Sequence, residues 1–545
     1  AIGIVVDDAI VVVENVERHL SAGAGPRDAT LLTMKEVGGA LFAITLVLCA
    51  VFVPTSFIPG ISGQFFRQFG VTIAVSTAIS FFTSVTLAPA LSAMMLKAHA
   101  GDHDAPAPTS RMAAPFAPAM RVARRFSTAF NRLFQRLSDA YGRLVRKIVR
   151  IIPAMAALYV VLIAATGYLL VSSPKGFIPA QDRGYLVVLV RMPDGATLER
   201  TSAVARKIED IALSVPGVAR VPVFSGVNAA TGTNSANSAG LFPVFKPWPE
   251  RKARGLTIDT IAAEMRKRLA TVTEASIVVA MPPPVQGLGS TGGFAMRLED
   301  RNGLGTAALA KATQDLVAAA NRTPGMVGVY TSYSATSPQV HVELDREKAE
   351  MLGVPSQAIN DAVETYFGST YINDFNIVGR TYRVTAQADL PFRVGASDLA
   401  RLKVRNRDGE MVPIGSVTRI DDTLGVDRAP RYNLYPATEI NGDTAPGLGS
   451  GFAIKTMETL AKQVLPPGIS FEWTDLSYQQ TTAGNTGLLV FPLCVLLVYL
   501  VLAAQYGSWS LPVSILLIVP MCLLAASLGV RALGQDVNIL TQIGF

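Results

Sequence analysis

Ala1-Ile-Gly-Ile-Val-Val-Asp7-Asp8-Ala-Ile-Val-Val-Val13 is an apolar run greasy enough to cross a membrane, broken by two adjacent carboxylates. Glu14, Asn15, Glu17 and Arg18 close it with polar residues. At a helical rise of about 1.5 Å per residue, the nine or ten positions from the pair to Glu17 and Arg18 span roughly 14 Å. A hydrocarbon core is about 30 Å thick, which puts both acids near its middle. Ionised side chains there cost several kcal/mol and mark ion or proton pathways. Two carboxylates so close do not comfortably both ionise, so Asp7 and Asp8 are expected to exchange protons as a unit. The competing reading, a soluble core helix with the acids on its solvated edge, fits poorly with the apolar segments downstream.

Five such segments are expected, at 37–58, 70–96, 152–172, 487–505 and 511–530. Half of the 545 residues are apolar, and the mean hydropathy is positive. That is too long for one domain and too greasy for an ordinary soluble enzyme. The net charge of +7 is a local effect, because residues 97–150 hold eleven Lys/Arg against three Asp. A basic block between apolar helices reads as a cytoplasmic loop and not as a nucleic-acid footprint. Residues 98–118 are Ala/Pro-rich and read as a linker. Beyond them Phe130, Leu133, Phe134, Leu137 and Leu144 interleave with Arg132, Arg136, Arg143 and Arg146, an amphipathic pattern suited to the inner leaflet.

With that loop in the cytoplasm, the polar stretch of some 300 residues from about 173 to 486 faces the opposite side. It contains no cysteine, since Cys49, Cys494 and Cys522 all fall in apolar segments, which excludes a disulfide framework or a Cys-type zinc site there. Its pattern is β-α-β-β-α-β, the split βαβ or ferredoxin-like unit: strands near 184–191, 220–224, 241–245 and 276–281, with helices at 198–213 and 258–269. A second unit opens near 293–298 and closes near 469–473, interrupted by an insert at about 339–427 with its own helix over 356–367. The glycine-rich Gln286-Gly-Leu-Gly-Ser-Thr-Gly-Gly293 lacks the Lys-Ser/Thr of a phosphate loop and reads as a flexible pocket floor. His19, His99, His103 and His341 are scattered, so neither a catalytic triad nor a metal cluster is expected, and no cofactor.

The run 1–18 resembles the proton-relay helix of resistance–nodulation–division (RND) transporters, in particular the drug and amphiphile exporters of Gram-negative bacteria. Gly176-Phe-Ile-Pro179, Pro193-Asp-Gly-Ala-Thr197, Tyr371-Ile-Asn-Asp-Phe375, Gly409-Glu-Met-Val-Pro413, Ala445-Pro-Gly447 and Leu502-Ala-Ala-Gln-Tyr-Gly-Ser-Trp-Ser-Leu-Pro512 extend the likeness along the chain in the family's order. The resemblance implies an internal fragment from the fourth to the start of the tenth of twelve membrane helices. Residues 1–96 and 487–545 would be transmembrane, 97–151 the cytoplasmic linker and amphipathic helix, and 152–172 a further span. Residues 173–288 would form a first porter subdomain, 289–338 with 428–480 a second, and 339–427 a docking insert.

The implied activity is export of hydrophobic and amphiphilic small molecules driven by the proton-motive force. The implied setting is a homotrimer in the bacterial inner membrane, with a periplasmic adaptor and an outer-membrane channel. In the family a lysine on the tenth helix pairs with the acids, and its register falls about three positions after Phe545, so the 545 residues alone are expected not to transport. Phe224, Phe242, Val278 and Met281 match positions near the family's substrate pocket, and 225–240 its switch loop. A heavy-metal pump or a sterol-sensing relative are the alternatives within the superfamily. An intramembrane aspartyl protease needs its two aspartates on different helices, and these share one.

Overall fold

The computed structural model describes residues 2–96, 117–483 and 486–545. Apart from 117–118, the stretch 98–118 read as a linker lies outside these residues, as do His99 and His103. Two compact units are described separately. One comprises residues 1–179, 444–454 and 475–545, the other 180–443 and 455–474.

In the first unit the helices are Ile2–Ser21, Pro26–Thr55, Gly60–Met95, Ala117–Arg150, Ile152–Ser172 and Thr486–Tyr506, followed by the pieces Leu511–Leu516 and Val519–Ala532 and a short Ile539–Gly544. Among the described residues four stretches are long and apolar enough to cross a membrane: Pro26–Thr55, Gly60–Met95, Ile152–Ser172 and Leu511–Ala532. Two helices start about ten residues earlier than their apolar segments. Pro26 opens the second behind an extended Gly25, where a missing N–H is harmless, and the turn into the third closes at Pro59. Gly63, in the first turn of the third helix, must lack a side chain, because a Cβ would lie 1.6 Å from the Ile58 carbonyl oxygen. The span at 511–532 is two helices, interrupted at Leu517 and Ile518 ahead of Pro520.

The packing of these helices is inside-out relative to a soluble bundle. Thr33, Thr77, Ser80 and Ser84 are buried to within 1 % of full burial, while Phe42, Phe57, Ile79 and Phe82 are exposed. Small hydroxyl side chains at helix contacts and large apolar ones outside are what a lipid solvent selects, since lipid offers no hydrophobic drive to bury leucines.

The second unit contains two antiparallel sheets of the same strand order. In the first, β1 (Val187–Arg191), β2 (Val223–Asn228), β3 (Thr233–Leu241) and β4 (Ser276–Ala280) are arranged β2-β3-β1-β4. Helices Leu198–Leu213 and Ile258–Leu269 make the crossovers. Each begins on a threonine, Thr197 or Thr257, whose hydroxyl accepts from the backbone N–H three residues on. Val188, Val190, Ile208, Leu241, Ile261 and Met265 fill the core between sheet and helices. The second sheet has β5 (Phe294–Asp300), β6 (Met326–Thr331), β7 (Tyr435–Thr444) and β8 (Ile469–Trp473) in the order β6-β7-β5-β8, with a fifth, two-residue strand Arg431–Tyr432 also paired to β7. Its crossover helices are Thr306–Arg322 and Ser450–Val464.

Between β6 and β7 the chain leaves along Ser337–Leu344 and returns along Thr418–Gly425, two strands paired along their whole length. Beyond them an insert has its own small core of Ala349, Val354, Ile359, Val404, Ile414 and Val417. Its helix is α over Ser356–Val363 and continues as a π turn over Glu364–Gly368, matching the expected extent while changing its winding near the end.

Three local expectations are corrected. The strand placed at 220–224 is two strands, Val218–Arg220 and Val223–Asn228, and that at 241–245 is split between β3 and Val244–Phe245. The stretch 225–240, expected as a loop, is mostly the β2-β3 hairpin. Its Ser/Ala/Asn/Gly composition carries little strand propensity. The pairing of β3 with β1, from Val188↔Leu241 to Arg191↔Ser238, imposes the strand from outside.

Arg251 illustrates how the first sheet is anchored. It is 3 % exposed, lies over the rings of Phe245 and Trp248, and donates two hydrogen bonds to the Asp182 carboxylate at 2.8 and 3.2 Å. Asp182 keeps access to water, so removing Arg251 costs mainly its ring contacts and its charge-assisted hydrogen bonds, on the order of 1.5–3 kcal/mol. Arg251→Ala is therefore expected to lower the thermal unfolding temperature of the protein in detergent, and unchanged melting would refute the anchoring role.

Candidate functional site

Asp8, Val12, Val16 and Leu20 form an i, i+4 row on the first helix. The last three are fully buried and Asp8 is 5 % exposed. Their partners include Ala29 and Leu41 of the second helix. Asp8 thus sits on the packed seam, where it meets the third helix: the Ser80 hydroxyl donates to its carboxylate at 2.8 Å. Thr77 and Ser84, buried like Ser80, share that helix face by their spacing. Consecutive residues on a helix are turned by about 100°, so Asp7 points away from this seam and is exposed. The two acids are neighbours in sequence but face different surroundings. An acid sealed between two helices, with a hydroxyl as hydrogen-bond partner, can change helix packing when it gains or loses a proton.

The expected substrate residues fall on two faces of the first sheet. Register places Phe224 beside Gly240, Gly240 beside Leu189, and Leu189 beside Val278, one row across β2-β3-β1-β4. Directly paired residues project to the same side. Val188 and Leu241, one step along, belong to the core under the helices, so this row is on the helix-free side. Phe224 is half exposed and meets Phe242 edge to face, centroids 5.7 Å apart. Met281 differs, for it packs against the core beneath the helices.

A narrow cleft opens beside Val278. One wall is Leu189, Arg191, Ala229, Ser238 and Val278 of the first sheet and its hairpin tip; the other is Tyr330, Thr331 and Ser332 at the end of β6. The hairpin tip folds back so closely that Ala229 occupies the space a side chain at Gly240 would need, with 2.5 Å to its Cβ. Thr291, in the glycine-rich stretch read as a pocket floor, lies 3.4 Å from the Tyr330 hydroxyl. Burial, helped by the nearby Glu439 charge and only partly opposed by Thr291, pushes the Tyr330 phenol up to about 12, so it stays neutral. Tyr330, Thr331 and Ser332 carry no motif, and only the fold brings them to the cleft. Among the described residues no cluster of three or more His, Cys, Asp or Glu could hold a metal ion.

Helices long and apolar enough to span a membrane, a carboxylate sealed at a helix contact and two sheets backed by helices fit one class, membrane transporters of the RND type. The chain belongs to the AcrB/AcrD/AcrF family, whose profile matches residues 1–545. As such it is an inner-membrane protein. It is 35 % identical over 547 residues to the multidrug export protein AcrF of Escherichia coli (strain K12), covering all of this chain and 51 % of that protein. It is also 35 % identical to the toluene efflux pump membrane transporter TtgE of Pseudomonas putida, again along its full length and over 50 % of the relative. The multidrug resistance protein MdtF of Escherichia coli (strain K12) is 34 % identical, with 52 % covered. The chain therefore spans about half the length of the relatives it matches. Their names, all of drug or solvent pumps, do not favour the heavy-metal alternative.

Proposed function

We propose that the protein exports drugs and amphiphilic compounds by proton antiport, as the inner-membrane component of a tripartite pump. Asp8 at its buried contact with Ser80, with Asp7 beside it, is the proton relay, and this contact is the observation that carries the reading. Protonation removes charge from a low-dielectric helix interface and biases two packings of the first and third helices. A site shifts such an equilibrium only by its differential proton affinity between the two states. Each proton crossing the membrane supplies about 2.3 kcal/mol per 100 mV.

In this reading residues 173–288, and 289–338 with 428–480, are two ferredoxin-like porter subdomains. The common order β2-β3-β1-β4 and β6-β7-β5-β8, with the first and third strands adjacent and central, supports that assignment. The insert, residues 339–427, docks towards an outer-membrane channel, and a periplasmic adaptor and homotrimeric assembly complete the machine. Phe224, Phe242 and Val278 meet substrate from the helix-free side of the first sheet, while Met281 supports them from the core. A cleft wall whose aromatic members are few favours substrates that need little ring stacking.

The test is reconstitution of the full gene product in vesicles with an imposed pH gradient. Dye or drug movement should follow the gradient and stop when an uncoupler collapses it. Substrate movement that ignores the uncoupler would overturn proton antiport.

A further inference from the structure

The cleft between the two sheets is bridged at one end by a single carboxylate. Asp194 lies three residues beyond Arg191 on one wall, and Ser334 two residues beyond Ser332 on the other. One Asp194 oxygen accepts from the Arg191 guanidinium at 3.2 Å and from the Asn237 amide at 3.2 Å, both in the first subdomain. Its other oxygen accepts from the Ser334 hydroxyl at 2.5 Å and the Thr336 hydroxyl at 2.8 Å, in the connector leading to the insert. Ser334, itself buried, also accepts at its carbonyl from the Asp427 N–H at 3.3 Å, where the chain returns from the insert. Gly195 keeps the approach close, since a Cβ there would lie 3.3 Å from the Pro338 ring. Burial pushes the Asp194 acid up, but the Ser334, Thr336 and Arg191 donors outweigh it and hold the group below the usual carboxylate range.

The cleft has a volume of about 50 Å³. Pockets that take drug-sized ligands run to about 300–1,000 Å³. Any such occupant requires the walls to part, and the Asp194 bonds span them. The insert is spliced into the second subdomain, yet its neck is hydrogen-bonded to the first. We propose that Asp194 is a positioning residue, a latch that holds the cleft shut and ties its opening to movement of the insert's neck. The latch must break once per transport cycle. This rests on the export reading above and assigns a moving part to it.

The experiment uses the full gene product with Cys49, Cys494 and Cys522 replaced. Asp194→Cys with Ser334→Cys, joined by oxidation or the shortest bis-thiol linker, should lose export at least tenfold and regain it on reduction. Undiminished export by a fully crosslinked population would overturn the latch. A second arm needs no transport: Ser334→Ala with Thr336→Val, in a protein carrying Val278→Cys, should speed labelling of that cysteine by a bulky maleimide several-fold. An unchanged labelling rate in a variant that elutes and melts normally would also overturn it, and this arm decides if the cysteine pair is inactive when reduced. If the unsubstituted protein fails to export, the functional reading falls while the labelling result still judges the latch.

Discussion

Asp8→Asn in the full gene product is expected to abolish drug resistance in a hypersusceptible host while leaving expression and melting close to those of the parent. The asparagine carbonyl can still accept from the Ser80 hydroxyl, now 2.8 Å from Asp8, so the helix contact survives. What disappears is the proton-dependent change of charge on the seam that also holds Val12, Val16 and Leu20. Ser80→Ala makes the graded comparison. It removes one hydrogen bond to an acidic group, worth about 1.5–3 kcal/mol, and should reduce export roughly tenfold without abolishing it. Asp7→Asn is expected to impair export as well. Full resistance in both asparagine variants would end the relay assignment, whatever the family membership.

Gly293→Ala should be the most destabilising single methyl in the second unit. Gly293 adopts φ +88°, and a Cβ there would lie 2.1 Å from the Gly442 carbonyl oxygen, where β5 begins its pairing with β7. The left-handed backbone costs a side-chain-bearing residue about 1–3 kcal/mol, and overpacking adds about 1–3 kcal/mol. Gly289 is the control, since it has the same φ of +88° with nothing within 4 Å of its would-be Cβ. Gly289→Ala should therefore cost only the backbone part. Trp473 reports the difference directly, being buried with its ring 6.2 Å from Phe294. Thermal unfolding followed by tryptophan fluorescence should place the Gly293 variant well below the Gly289 variant. Equal melting would mean that backbone conformation and not the close approach governs this edge.

Much of the architecture follows from local pattern. The helix 198–213 is readable to its end residues because Thr197 caps it and its apolar residues recur at helical spacing. The first helix stands out because charged residues are rare in an apolar run. The hairpin of β2 and β3 was not readable, because its residues have no strong preference of their own and take their conformation from β1. Alternation puts Val278 and Met281 on opposite faces, but spacing alone did not say which of those faces the helices cover.

The amino-acid order alone determined that this protein has stretches long and apolar enough to cross a membrane, that two acids interrupt its first apolar run, and that an α/β pattern recurs in its polar stretch, because periodicity and hydropathy are local properties. Only the tertiary structure decided that Asp8 and not Asp7 is the sealed acid. The same is true of Tyr330 and Ser332, which it placed opposite Val278, and of Asp194, which it set across the gap between them. Those facts depend on contacts between residues tens to hundreds of positions apart, which sheet register and helix packing fix and which leave no periodic trace in the chain.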